Sequence, residues 1–219
     1  MGGTVVKLIS EAKDLELVGG VDVRPGSVFN AEVVPSNQID AFLEKKKPDV
    51  LVDFTVASAA VENVKAAARH RVAAVVGTTG LSAQQRDEMR RAVEASVPAV
   101  ISSNFSVGVN IFWFLIREAA KKLGDYDIEV IEAHHRMKKD APSGTALKMG
   151  QILAHALGRN FDQVGAYERK GIIGERKRAE IGMQTIRAGD IVGEHTVIFG
   201  GLGERLEVTH RAHSRDNFA

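Results

Sequence analysis

Residues 134–139 form a dense run of basic side chains. Five of these six residues, His-His-Arg-Met-Lys-Lys, are cationic or can become so. Because like charges repel one another, such a run predicts that an anion is bound there. Just downstream, Pro142-Ser143-Gly144-Thr145 is typical of a helix start, whose unpaired amides and positive dipole end provide a second anion site. Together the two sites predict a small dicarboxylate ligand.

A metal site and a solvated basic loop are the alternatives for this segment. His134 and His135 are adjacent, so they do not share the helical face that two ligands at i and i+4 would share. Arg136, Lys138 and Lys139 would also repel a cation. We therefore expect no metal. A plain solvated loop leaves the paired histidines and the glycine-marked helix start unexplained, so an anion site is favoured.

The histidines of this segment suit proton transfer. If the reaction is hydride addition to a conjugated imine, the electron density left behind must be protonated. Histidine is the side chain that titrates near neutral pH, so it fits the role of general acid.

The composition excludes several classes of protein. A net charge of +1 gives no global field for nucleic acid or an anionic membrane. No apolar run approaches the roughly 20 residues of a membrane helix, and no secretory pattern opens the chain. The absence of cysteine removes thiol nucleophiles, which argues against a semialdehyde dehydrogenase. We expect a cytoplasmic protein that binds neither nucleic acid nor membrane.

The first half alternates between short apolar runs and helical patterns. Such alternation predicts a parallel sheet covered by helices on both faces. The predicted strands are residues 15–21, 50–54, 72–76 and 98–101, and the predicted helices are 4–12, 57–69 and 82–96, the last with Ser82 as its N-cap.

The pattern changes after Asn104. Helices are predicted at 107–123 and from about 145 to 157, and strands at 126–132, 181–187, 195–199 and 205–210. The last three strands are separated by short glycine-rich turns, which predicts a mostly antiparallel or mixed sheet. The predicted fold class is α/β: a Rossmann-like dinucleotide-binding domain at 1–105, to which 215–219 return, and a second α+β domain at 106–214 that binds substrate and mediates oligomerisation.

Polar residues at predicted strand ends are candidates for cofactor binding, because ligands of open α/β sheets bind beyond the carboxyl ends of the strands. Asp22 follows a strand and suits the ribose hydroxyls, and Arg24 suits a 2′-phosphate. A solvated turn is the competing interpretation of these two residues. Asp53-Phe54-Thr55 and Gly77-Thr78-Thr79-Gly80 end two further strands.

Several segments together resemble one enzyme family. Residues 132–146, EAHHRMKKDAPSGTA, match its most specific motif almost residue for residue, and 104–110, 53–55, 77–80 and 187–195 match as well. The chain thereby resembles the dihydrodipicolinate reductases over nearly its whole length. The resemblance implies reduction of 4-hydroxy-tetrahydrodipicolinate to tetrahydrodipicolinate in lysine and diaminopimelate biosynthesis, with NADH or NADPH, by a homotetramer built through the second domain's sheet. The sequence does not separate NADH from NADPH.

The resemblance also implies roles for individual residues. His134 matches the proton donor and Lys138 a lysine that supports catalysis, while His135, Gly144 and Thr145 match substrate-binding positions. The implied cofactor-binding residues are Met1, Asp22, Arg24, Phe54, Gly77, Thr78, Thr79, Ser102, Ser103, Asn104 and Phe105.

The chain departs from the family at its ends. The family begins with a strand and a glycine-rich turn whose last residues match Met1-Gly2, and it continues beyond Ala219 into a helix. A truncated, catalytically silent product that still assembles through the second domain is therefore the alternative to an active enzyme. A sugar oxidoreductase of similar architecture is a further alternative, but the basic segment does not suit it.

Overall fold

A computed structural model of the chain describes residues 1–218 and divides it into two compact units. Unit 1 comprises Met1–Ser103, to which Phe218 returns, and unit 2 comprises Asn104–Asn217. The division falls two residues before the predicted boundary. Residues 215–217, which were expected to return to the first domain, belong to unit 2.

Unit 1 is built from short strands and amphipathic helices. In chain order its elements are α1 (Gly2–Glu11), β1 (Gly20–Asp22), β2 (Gly26–Val28), β3 (Ala31–Pro35), a 3-10 turn (Ser36–Gln38), α2 (Ile39–Lys46), β4 (Val50–Asp53), α3 (Ala57–Arg69), β5 (Ala73–Val76), α4 (Ala83–Val93) and β6 (Ala99–Ile101). The predicted N-cap is confirmed, because Ser82 and Gln85 form a reciprocal capping box at the start of α4.

The strands of unit 1 form two separate sheets among the described residues. One has the order β1-β3-β2, and the other is the parallel sheet β4-β5-β6. A cavity of about 120 Å³ lies between β1 and β4, lined by Val21 from one edge and by Leu51 and Asp53 from the other. The core beneath the sheets is apolar, with Val64, Val76 and Met89 fully buried.

Unit 2 is a mixed sheet with helices on one face. Its elements are α5 (Val107–Lys122), β7 (Asp127–His134), α6 (Gly144–Ala156), α7 (Phe161–Val164), β8 (Gly165–Ala166), β9 (Ile181–Arg187), β10 (Gly193–Gly200), β11 (Arg205–Ala212) and a 3-10 turn (Asp216–Phe218) whose last residue is the one that returns to unit 1. The strand order is β11-β10-β7-β9-β8, with β10 antiparallel to both neighbours and β7, β9 and β8 parallel. The predicted α/β class, with a second unit built on a mixed sheet, is confirmed, and its predicted role in oligomerisation stays a prediction.

The helices of unit 2 pack on one face of the sheet. Every second residue of a strand points toward that face. Ile128 and Val130 of β7, with Val197 and Phe199 of β10, are fully buried against α5 and α6. The two-residue side-chain period of strands therefore separates a covered face from an open one. Among the described residues, no helix is long and apolar enough to cross a membrane.

Candidate active site

The covered face of the unit 2 sheet changes from apolar to polar along its strands. Cross-strand registers align the residues in rows. One row is Met183-Val130-Val197-Val208, the next is Thr185-Glu132-His195-His210, and the last is Arg187-His134-Gly193-Ala212. The apolar rows bury the core, so the polar rows at the end of the same face form the candidate site.

Glu132 is the buried acid of this site, with 1% of its side chain exposed. Its Oε2 accepts from His134 Nδ1 at 2.6 Å and from Arg187 Nη1 at 2.9 Å. Its Oε1 accepts from Arg187 Nη2 at 2.8 Å, from the Ser143 amide at 3.0 Å and from the Thr185 hydroxyl at 3.3 Å. Burial would raise the pKa of Glu132, but the hydrogen bonds from His134, Arg187 and Ser143 lower it to about 2.

His134 ends β7 at the edge of this polar region, with 12% of its side chain exposed. Glu132 and His134 lie two residues apart on one strand and therefore share a face. The ring of His195 lies edge-on to that of His134, with 5.3 Å between centroids. The predicted proton donor is thus a half-buried ring held by a carboxylate on one side.

The basic segment after β7 turns sharply. The Lys138 amide donates to the His135 carbonyl at 3.1 Å, and the Arg136 amide donates to the Gly189 carbonyl at 3.1 Å. The Lys138 ammonium pairs with the Asp140 carboxylate at 2.8 Å. His135 Nε2 lies 3.2 Å from a guanidinium nitrogen of Arg215. Two of the predicted cations thus carry side-chain partners within unit 2.

The predicted helix start is present one residue earlier than expected. Ser143 is the N-cap of α6, and its hydroxyl accepts from the Ala146 amide at 3.2 Å. Gly144 is exposed, and a Cβ there would meet no atom within 4 Å, so its backbone is open to a ligand. Asn104 donates to the Thr145 hydroxyl at 3.4 Å. Asn104 is the first residue of unit 2, and its predicted role on the cofactor side stays a prediction.

Glu132 connects the helix start to the predicted acid. Its carboxylate binds the Ser143 amide through one oxygen and the His134 ring through the other. His134 and the open start of α6 therefore both lie next to Glu132. This arrangement suits proton transfer from His134 to a ligand whose carboxylate is held at the helix start.

His195 is the second histidine of the polar rows and is 4% exposed. Its Nε2 lies 3.4 Å from the Ser143 hydroxyl, and its Nδ1 has no hydrogen-bond partner among the described residues. Burial, reinforced by the nearby His134, lowers the pKa of His195 to about 3. His195 is therefore neutral at physiological pH.

In unit 1, Asp22 and Arg24 occupy an exposed turn after β1. The Asp22 carboxylate accepts from the Arg24 backbone amide at 2.9 Å, which holds the Asp22 side chain against the turn. An exposed acid at a strand's carboxyl end, with an exposed arginine two residues further on, fits the ribose end of a dinucleotide.

The ends of β4 and β5 form a polar cluster. Asp53 is 2% exposed, and its carboxylate accepts from the Thr78 hydroxyl at 2.6 Å and from the Asn63 amide at 2.6 Å. A Cβ at Gly77 would lie only 2.1 Å from the Phe54 ring, so glycine is required there. A bare peptide held at a strand end fits close approach to a nucleotide.

The remaining predicted cofactor residues are spread over both units. Met1 precedes α1 as its N-cap, Thr79 and Ser103 are exposed in unit 1, and the Ser102 amide donates to the Val76 carbonyl at 3.0 Å. Phe105, like Asn104, belongs to unit 2. Within residues 1–218, no three His, Asp or Glu side chains converge as metal ligands.

The sequence analysis missed the residues that hold the predicted acid. Glu132, Arg187 and His195 all lay in motifs used for the family resemblance, yet none received a role. The i, i+2 spacing of Glu132 and His134 on a predicted strand end was the available signal. The contact of Arg187 with Glu132 joins residues 55 apart, which no local pattern reports.

Solved structures similar to this one define its class. The dipicolinate-bound dihydrodipicolinate reductase from Paenisporosarcina sp. TG-14 matches with a TM-score of 0.77 and 23% identity, over 99% of this chain and 85% of that chain. GenD2 from gentamicin A biosynthesis, solved with NAD, matches with a TM-score of 0.60 and 14% identity, over 95% of this chain and 69% of that chain. The chain therefore shares the two-domain fold of these proteins.

Sequence comparison specifies the family. The model of the dihydrodipicolinate reductase N-terminus matches residues 1–105, and that of its C-terminus matches 108–219. The 4-hydroxy-tetrahydrodipicolinate reductases of Methanoculleus marisnigri and Methanoregula boonei are 60% and 57% identical over 100% of this chain, which covers 85% and 84% of their lengths. The chain belongs to the dihydrodipicolinate reductase family.

Family membership decides several of the predictions. The predicted class of enzyme, a reductase of lysine and diaminopimelate biosynthesis that uses NADH or NADPH, is confirmed. Because the matches span the whole chain, a catalytically silent product is not favoured. The roles of individual residues stay predictions.

We expect His195→Gln to make folding less sensitive to acid. Because the pKa of His195 is lowered from 6.5 to about 3 in the folded state, the unfolded chain takes up this proton first as pH falls. The stability that neutral His195 contributes above pH 6.5 is therefore lost between pH 6.5 and about 3, on the order of 3 kcal/mol by pH 4. Urea unfolding at pH 7 and pH 4 should show a smaller loss in His195→Gln than in the wild type.

The exposed His155 supplies the matched control. His155→Gln should lose as much stability between the two pH values as the wild type does. An equal loss in all three proteins would contradict the neutral, buried state of His195.

Proposed function

We propose that this chain reduces 4-hydroxy-tetrahydrodipicolinate to tetrahydrodipicolinate, with NADH or NADPH as reductant and His134 as proton donor. The net reaction takes up a hydride and a proton and releases water. The bound nicotinamide supplies the hydride. The observation that carries the residue assignment is the His134 ring, held through Nδ1 by buried Glu132 beside the open start of α6.

The substrate's carboxylates bind at the two anion sites. Gly144 and Thr145 offer backbone amides at the first turn of α6, where the helix dipole favours negative charge, and Thr145 adds a hydroxyl. Lys138 comes from the turn after β7 and supplies the positive charge, and His135 of the same turn offers its ring as a polar contact. The paired sites select a dicarboxylate over a monocarboxylate.

His134 protonates the substrate after hydride addition. Its imidazolium gives up the proton to the electron density left by the hydride and returns to the neutral ring. Lys138 stays charged and balances the negative charge of the substrate during this step.

We assign cofactor binding to unit 1 and to the first residues of unit 2. Asp22 binds the ribose hydroxyls, with Arg24 placed for a 2′-phosphate, and Met1 lies at the phosphate side. The nicotinamide side consists of Phe54, Gly77, Thr78, Thr79, Ser102, Ser103, Asn104 and Phe105.

Replacing His134 by alanine should lower kcat by roughly 100-fold or more while leaving KM within about threefold, because the acid acts mainly in the transition state. Lys138→Ala should lower kcat and raise KM together, because Lys138 contacts a substrate carboxylate in both states. Steady-state assays with freshly prepared substrate measure both effects.

Exposed residues of the same type outside the basic segment serve as controls for these variants. His155→Ala on α6 and Lys122→Ala at the end of α5 should keep wild-type constants. A wild-type rate in His134→Ala would refute the assignment of the acid.

Arg24→Ala tests the assignment at the ribose end. Removing the guanidinium should raise KM for NADPH several-fold and leave KM for NADH within about twofold, because only NADPH carries the 2′-phosphate. Parallel titrations with the two cofactors measure the difference. Equal changes for both cofactors would place Arg24 outside the 2′-phosphate site.

We propose a cytoplasmic homotetramer assembled through the open face of the unit 2 sheet. The absence of cysteine suits a reducing compartment. Outward-facing Ile186 is 46% exposed, and the hydroxyls of Thr196 and Thr209 pair across β10 and β11 at 3.0 Å on the same face. The Arg211–Glu194 ion pair lies on this face as well, and a face of apolar, neutral and mutually paired charged side chains suits contact with a second copy of the sheet.

A charge placed on this face should dissociate the assembly. Thr209 is exposed in the chain, so Thr209→Lys leaves the fold of unit 2 intact while burying an unpaired ammonium in the interface. Light scattering after gel filtration should show a tetramer for the wild type and smaller species for Thr209→Lys. Ser96→Lys, an exposed change in unit 1, should stay tetrameric. A tetramer in Thr209→Lys would exclude this face.

A further inference from the structure

We propose that Glu132 is a positioning residue that confines the transferable proton of His134 to Nε2. This inference rests on the proposed role of His134 as proton donor and specifies which ring nitrogen performs it. The family comparison assigns no part to Glu132.

The contacts of Glu132 leave it little freedom to move. Arg187 binds both carboxylate oxygens in a fork, at 2.8 and 2.9 Å, and the Ser143 amide fixes one of them at 3.0 Å. His134 Nδ1 lies 2.6 Å from the other carboxylate oxygen, and the Thr185 hydroxyl donates to the first at 3.3 Å. A bidentate guanidinium pair sets the plane of the carboxylate, so the direction of the bond to His134 is set as well.

An ionised carboxylate can only accept hydrogen bonds. Hydrogen bonds from His134 and Arg187 outweigh the effect of burial and keep the pKa of Glu132 far below neutrality, so Glu132 is a carboxylate whenever the enzyme works. Nδ1 of His134 must then be the donor in both the charged and the neutral ring. Nε2 is consequently the only ring nitrogen that gains and loses a proton.

Gly193 gives Nε2 its clearance. The glycine lies opposite Ala212 in the register between β10 and β11, and a Cβ added to it would stand 3.1 Å from His134 Nε2. A side chain here would press on the nitrogen that must reach the substrate. Glu132 on one side of the ring and a glycine on the other together aim the ring.

The proton transfer is balanced in these terms. The Nε2–H bond of the imidazolium breaks, the proton goes to the substrate, and the electron pair remains on Nε2. The neutral ring keeps its Nδ1–H on Glu132, which stays ionised throughout. Water then returns a proton to Nε2.

Nitrogen-15 NMR of the histidine-labelled wild-type enzyme tests the tautomer directly, with His134→Asn as the reference for assignment. We expect neutral His134 to carry its hydrogen on Nδ1 and to titrate at Nε2. A neutral ring protonated at Nε2 would overturn the proposal. This measurement decides the case without any change at Glu132, so it stands even where Glu132 variants do not fold.

Glu132→Gln tests the kinetic consequence. An amide can donate to Nδ1 and so permits the other tautomer, and it no longer stabilises the charged ring. We expect kcat to fall at least about tenfold with KM within about threefold, and the alkaline limb of the pH–rate profile to move to lower pH. Glu132→Asp, which keeps the charge, should retain the wild-type position of that limb.

Thr185→Val supplies a control for simple loosening of the site. Its hydroxyl touches the same carboxylate at 3.3 Å but carries no charge, so its loss should leave the pH–rate profile unmoved. A profile displaced equally in Thr185→Val and Glu132→Gln would reduce Glu132 to a packing role.

Failure of this inference is distinguishable from failure of the proposed function. Full activity in His134→Ala would refute the assignment of His134 as the acid, whatever the result for Glu132. If His134→Ala is inactive while Glu132→Gln keeps the wild-type kcat and pH–rate profile, only the positioning role of Glu132 is refuted.

Discussion

The buried carboxylate of Glu132 is the constraint around which unit 2 is arranged. A charge that is 1% exposed costs several kcal/mol in desolvation unless donors surround it. Its donors come from three segments of the chain: His134 at the end of β7, the Ser143 amide at the start of α6, and Thr185 and Arg187 of β9. The same bonds that satisfy the charge therefore hold the acid, the helix start and the sheet in one geometry.

One sheet face thus serves two purposes at its two ends. The rows containing Val130 and Phe199 stabilise the unit by burying apolar surface under α5 and α6. The row containing Glu132 and His195 places polar groups where apolar side chains could be buried. One of these groups, His195 Nδ1, has no hydrogen-bond partner among the described residues. Burying a polar atom without a partner costs roughly 1–3 kcal/mol, so stability is traded for chemistry within a few residues of the core.

Sequence predicted the regular elements of this chain better than its site contacts. The bounds of α3 and β9 match the predicted 57–69 and 181–187, because long amphipathic or alternating patterns are local signals. Only the last two residues of the predicted strand 15–21 pair in β1, and the short β2 and β3 were missed, because three- to five-residue strands carry little periodicity. His134 and Gly144 were found through a contiguous motif, whereas Arg187 acts through a contact distant in sequence.

Fewer side chains of the basic segment are free to bind an anion than their number suggests, because Lys138 and His135 already have partners. The burial of each ion pair determines how easily it can be broken. Arg187 is 19% exposed and grips Glu132, which is 1% exposed, so breaking that pair strands a buried charge at a cost of several kcal/mol. Lys138 instead pairs with Asp140, which is 59% exposed, and a pair of this kind contributes about 1 kcal/mol or less. In the proposed mechanism, a substrate carboxylate would therefore compete with Asp140 for Lys138 and leave the Arg187–Glu132 pair in place. Because the exposed Lys138–Asp140 pair can exchange while the buried Arg187–Glu132 pair persists, the proposed site would bind an anion without changing the orientation of His134.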